Sequence, residues 1–147
     1  MNLNQFFAVA SIPLVVILYV FFWCGLMIAI ARLGGWIPLA QKYRATEPFE
    51  GGLWHFQKAQ FRWSCNYGGI LTVGANTTGL YLRTVLLFRP GHPPLFIPWA
   101  ETKIEMKKSF WLGQYMELQF PQVPRTCIRF PEKLAKKIAG ELTTMTA

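Results

Sequence analysis

No charged side chain occurs among the first 31 residues of the chain; all fifteen lysines and arginines and all seven acids follow. The stretch from Phe6 to Ala31, FFAVASIPLVVILYVFFWCGLMIAIA, is 26 residues of uncharged sequence. As a helix it would measure about 39 Å, more than the roughly 30 Å of a bilayer's hydrocarbon core, so it is long enough to cross with some tilt. A helix also satisfies its own backbone, which hydrocarbon demands, and Pro13 and Gly25 are tolerated in that setting. Residues 1–33 are therefore expected to be a transmembrane anchor. Ala29-Ile30-Ala31 imitates a signal-peptidase site, but no basic residue precedes the run, which is about twice a typical signal core, so the anchor is expected to stay uncleaved. Tyr19 and Trp23 stand at i and i+4 on one face and are candidates for contact with a partner helix.

The flanks set the orientation. Arg32, Lys42 and Arg44 follow the run and nothing basic but the amino terminus precedes it. The positive-inside rule then places the N-terminus outside and the rest in the cytoplasm, at the inner (cytoplasmic) membrane. Cys65 and Cys127 would be reduced there. In residues 34–53, Trp36 and Tyr43 suit the headgroup layer, and the spacing predicts an interfacial helix from Pro38 to Arg44. Pro48, Gly51 and Gly52 predict a flexible connector over 47–53.

From residue 54 to 147 the pattern changes to short segments divided by turn residues, the signature of a mainly β domain. The clearest period-two stretch is Gln57–Asn66, where Phe61, Trp63 and Cys65 alternate with Gln60, Arg62 and Ser64. Tyr67-Gly68-Gly69 is expected to turn. Strands are expected over 70–75, 80–85, 86–88, 95–99, 103–107, 115–120 and 126–130. Pro98 marks its strand as an edge or bulge, and Phe110 to Gly113 reads as a turn. The end is helical: Leu134, Ala135, Ile138, Ala139 and Leu142 form one apolar stripe after Pro131.

The segments GLYLRTVLLF (79–88) and PLFIPWAETKIEM (94–106), with this element order, resemble bacterial membrane-tethered proteins of the pleckstrin-homology-like (PH/GRAM-like) superfold. The resemblance covers Phe56 to Leu142. It implies about seven antiparallel strands in a bent barrel closed by the C-terminal amphipathic helix, and a module that binds lipid headgroups, peptides or partner domains. Phosphoinositide-binding members carry a basic-x-Arg triplet near the first hairpin; here Arg62-Trp63-Ser64 breaks it.

No motif for catalysis, cofactor or metal is present. His55 and His92 are isolated, no C-x-x-C pair exists, and no serine sits in a nucleophile elbow. A non-enzymatic binding or scaffold module is expected, without a cofactor. The net charge of +8 suits anionic lipid, each exposed Lys or Arg near such a surface contributing about 1 kcal/mol. Nucleic acid is not an expected partner of a membrane-anchored domain. Candidate lipid- or partner-binding residues are Arg62, Lys103, Lys107, Lys108 and the apolar turn Phe110, Trp111 and Leu112. A second possibility is an accessory or assembly subunit of a membrane complex, with the helix as its main contact.

Overall fold

The computed structural model describes residues 2–62, 65–111 and 113–146, with Met145 and Thr146 described by backbone alone. The apolar run forms one helix, α1 (Leu3–Leu33), of 31 residues. Among the described residues it is the one helix long and apolar enough to cross a membrane. Every side chain from Leu3 to Phe22 is exposed, and those twenty residues measure about 30 Å, the thickness of a hydrocarbon core. The next turns differ. Trp23 is half-buried, and Met27 and Ala31 are buried. This i, i+4, i+8 stripe docks on the rest of the chain.

Gly35 turns the chain sharply at φ +89° into α2 (Trp36–Tyr43). A side chain there would meet Thr126 Cγ2 at 2.8 Å as well as strain the backbone. The helix expected over 38–44 is observed as Trp36–Tyr43, with its aromatic face turned inward rather than outward. Trp36, Leu39 and Tyr43 point into the core, Trp36 and Leu39 with no exposed surface. The Trp36 ring stacks on Phe61 at 5.3 Å, and its indole N–H donates to the Pro93 carbonyl at 2.9 Å. The apolar, aromatic face that suits a headgroup layer suits a protein interior equally, and here the interior takes it.

Seven strands follow: β1 (Gly52–Phe61), β2 (Cys65–Ala75), β3 (Gly79–Thr84), β4 (Leu95–Pro98), β5 (Lys103–Ser109), β6 (Gly113–Gln119) and β7 (Cys127–Pro131). They form one antiparallel sheet in the order β4-β3-β2-β1-β7-β6-β5, curled into a half-barrel. α3 (Glu132–Thr146) closes it, burying Leu134, Ala135 and Ile138, with Leu142 half-buried against the core and Ala139 left exposed. The core lies between sheet, α2 and α3, filled by side chains such as Phe61, Leu71, Leu82, Ile97, Leu118, Ile128 and Phe130. Pro98 ends edge strand β4, where a missing N–H costs no ladder bond.

Three local expectations are corrected. The expected strand over 57–66 runs across the first hairpin: Phe61 pairs with Cys65, so the chain reverses between them. Alternation in the sequence continues through this reversal and hides it; Trp63 and Ser64 lie outside the described residues. The expected turn Tyr67-Gly68-Gly69 lies inside β2. There the ladder slips between Ala59↔Tyr67 and Gln57↔Leu71, and Gly69 takes φ +73°, which makes it a bulge. Phe56, at φ +55°, sits in a second irregularity of the same pair. Finally, Leu86–Phe88 is a single 3₁₀ turn rather than a strand. Leu86 and Leu87 have no neighbour strand to cover them and are 75% and 64% exposed.

Candidate functional site

Of the two histidines, His92 is enclosed and His55 is exposed. His92 is buried in the loop after the Leu86–Phe88 turn. Its Nδ1 lies 3.0 Å from the Pro90 carbonyl, which can only accept, so Nδ1 bears the proton. Nε2 therefore accepts from the Tyr67 hydroxyl at 2.8 Å. Burial pushes the His92 pKa down, and the ring is neutral at neutral pH. Burial likewise raises the Tyr67 phenol and the thiols of Cys65 and Cys127, which disfavours the thiolate a nucleophile needs. All three cysteines are free, and Cys65 packs against the core beside Gly34. His55 Nδ1 meets the Thr72 hydroxyl at 3.1 Å. Among the described residues no three metal-ligating side chains come together.

Two surfaces remain. The first is the β5–β6 hairpin. Its register runs from Lys103↔Gln119 to Ser109↔Gly113, which puts Phe110 and Trp111 at the tip. Phe110 is 94% exposed and Trp111 88%, their rings edge to face at 5.4 Å. Leu112 lies outside the described residues. Ile104 and Met106 stand opposite buried Leu118 and Met116, yet are themselves exposed, because nothing covers edge strand β5. The neighbouring cations are paired rather than bare. Lys103 Nζ lies 2.8 Å from Glu105, and Lys107 Nζ lies 3.3 Å from Glu105 and 2.6 Å from Glu117. Arg129 Nε donates to the other Glu117 oxygen at 2.9 Å. Burial works to raise the Glu117 pKa, but the hydrogen bonds from Lys107, Gln119 and Arg129 outweigh it and hold the carboxyl at about 2. Lys108 is exposed. Arg62, beside the first hairpin, is half-buried.

The second surface adjoins α1. Trp23 donates its indole N–H to the Leu87 carbonyl at 2.9 Å, and its ring meets Phe88 edge-on at 5.7 Å. Trp23 is thus held by its own chain and half-buried; Tyr19, stacked on it at 6.4 Å, stays exposed. Gly91, at φ +72°, lets the following loop pass so close that a Cβ would lie 2.9 Å from the Ile28 backbone. Beside that loop lies a cleft of about 440 Å³ lined by Arg44, Arg83, Arg89, Tyr81 and His92. A larger cleft of about 690 Å³ adjoins it through Arg44 and Tyr81, with Lys42 and the acids Glu47, Glu50 and Glu101 in its wall. There the Tyr43 phenol is pushed up to about 12, by burial first and then by Glu101.

The arginine group has no trace in the sequence. Arg44 is 39 positions from Arg83, and the bridge Arg44↔Leu95 at the sheet edge helps bring them to one cleft. Neither a family model, nor a curated protein, nor a solved structure matches this chain.

Proposed function

We propose that the chain is a non-catalytic, membrane-anchored binding module of PH-like type that presents its β5–β6 tip to a protein partner. The observation that carries this reading is the exposure of Phe110 and Trp111, 94% and 88%, at the end of a hairpin whose other polar groups are well satisfied. Large aromatic side chains held in water on a rigid support are the usual anchors of a protein interface. Exposed Ile104 and Met106 continue the apolar surface along β5. The tip stands at the far end of β6 from Gln119, about 20 Å along the strand from the end nearer α1.

In this reading α1 is an uncleaved anchor. Cleavage after Ala31 would remove Met27 and Ala31 from the buried interior. Arg32, Lys42 and Arg44 favour a cytoplasmic domain at the inner membrane. Strand number and the closing helix are what support the PH-like assignment.

The test is co-purification of the full chain in gentle detergent from its native membrane. The expected result is a partner recovered with the wild type and with Leu87→Ser, and lost with the double variant Phe110→Ser/Trp111→Ser. Equal recovery with that double variant would remove the hairpin from the proposal.

A further inference from the structure

We propose that the cleft of Arg44, Arg83 and Arg89 binds the phosphate of an anionic phospholipid in the leaflet from which α1 emerges. The inference rests on α1 spanning the membrane, but not on the hairpin's partner.

Three independent elements deliver the arginines. Arg44 caps α2 and bridges to Leu95, with the next N–H, of Ala45, donating to the Pro94 carbonyl at 2.8 Å. Arg83 stands on β3, paired across from Thr72. Arg89 ends the Leu86–Phe88 turn, its N–H donating to the Leu86 carbonyl at 3.2 Å. The wall behind them is fixed by buried His92 and by the Trp36 bond to Pro93. No acidic side chain lines this cleft, and among the described residues no ion pair or side-chain hydrogen bond engages any of the three guanidinium groups. Three arginines lining one cleft with no acid in its wall favour an anion, and the planar guanidinium matches phosphate oxygens in bidentate fashion; Glu47, Glu50 and Glu101 lie in the adjoining cleft, which Arg44 also lines.

The position of the cleft selects the source of the phosphate. If the exposed span Leu3–Phe22 fills the hydrocarbon, Trp23 and Phe88 lie at its boundary. Ile28, which Gly91 touches, lies six residues beyond Phe22, or about 9 Å further out, at the headgroup layer. Exposed Leu86 and Leu87 then face acyl chains, while Arg83 and Arg89, flanking that turn in sequence, face the phosphates. An apolar tip bordered by basic side chains and tied to a membrane helix fits a lipid better than a soluble phosphate.

The experiment uses the full chain, first shown to resist carbonate extraction from membranes, which tests the anchor separately. Lipid retained from mixed micelles holding equal phosphatidylglycerol and phosphatidylcholine is then measured by native mass spectrometry. Wild type is expected to prefer phosphatidylglycerol by about tenfold or more. Arg83→Gln/Arg89→Gln should abolish the preference, Arg89→Gln alone should weaken it, and Lys103→Gln/Lys108→Gln should leave it intact. Thermal unfolding identifies any variant that fails to fold; Arg89, on the surface turn, is the substitution to rely on in that case. Inorganic phosphate should not displace the lipid; if it does so completely, the site takes free phosphate and the lipid assignment fails. A wild type without preference, or loss of preference only in the lysine variant, overturns the proposal.

Discussion

The two ends of the half-barrel treat positive charge in opposite ways. On the β5–β6–β7 face, Lys103, Lys107 and Arg129 surround Glu105 and Glu117, and the cations are neutralised by contact. Beside α1, Arg44, Arg83 and Arg89 share a cleft with no acid. The same residue types therefore serve two purposes. At the distal face they permit a carboxylate, Glu117, to be buried in an exposed sheet, and lysines on edge strand β5 also discourage further strand pairing. Beside α1, no ion pair engages them among the described residues. Net charge of +8 read from the sequence does not separate these; only the pairing does. Exposed apolar residues divide in the same way, with Leu86 and Leu87 next to α1 and Phe110 and Trp111 far along the hairpin.

The largest expected effect lies at the proximal end, where α1 and α2 pack against the sheet. Trp36 has no exposed surface and touches Phe61, Tyr67 and His92. Trp36→Ala should cost about 3–5 kcal/mol, the usual range for an aromatic side chain removed from a core. Urea unfolding of the full chain in detergent, followed by near-ultraviolet circular dichroism, measures it. A loss below about 1 kcal/mol would mean that α2 is the peripheral helix its composition suggests.

That residue also shows where the sequence was legible and where it was not. α1, the strands from β3 onward and α3 are readable because each has a single dominant period and clear punctuation: Gly79 before β3, Pro94 before β4, Pro131 before α3. The region from Trp36 to Gly69 is harder because its signals are two-sided. An amphipathic aromatic helix of eight residues fits a membrane surface and a core alike, and only tertiary contact decides. Alternation across Gln60–Cys65 cannot reveal the reversal within it, and Gly68-Gly69 serves a bulge as readily as a turn. Of the binding candidates, Phe110 and Trp111 were visible as an apolar cluster at a turn. Lys103 and Lys107 were visible as charges but not as paired ones, because Glu117 reaches them across the ladder. Arg44, Arg83 and Arg89 needed the fold.

At the distal face an intermediate effect is expected. Glu117→Gln would leave Lys107 and Arg129 without their shared carboxylate; as both cations are about a third exposed, at 38% and 34%, water compensates in part. A loss of about 1–2 kcal/mol follows. Acid should mimic the change. The carboxyl titrates at about 2 in the folded chain against an ordinary 4.5, so its contribution is complete above about pH 4.5 and disappears as pH falls toward 2. Wild-type stability should decline over that window, while the difference between wild type and Glu117→Gln shrinks. Urea midpoints taken at successive pH values follow both curves. A difference that stays constant from neutral pH to pH 2 would show that the carboxylate's charge is not what holds the face together.

The smallest effect on folding is expected at the tip, and there the contrast between the two ends becomes a question of use rather than stability. Phe110 and Trp111 bury little besides part of each other. Trp111→Ala should therefore change the unfolding free energy by no more than about 0.5 kcal/mol, the range of ordinary surface positions. An exposed tryptophan that contributes nothing to the fold and nevertheless matters to a partner is a binding residue by elimination of the alternative. If the same substitution instead cost about 2 kcal/mol or more in the isolated chain, the ring would be folding over Ile104 and Met106 in solution. The hairpin would then be a cover for edge strand β5, and the outward-facing site would pass to the arginine cleft alone.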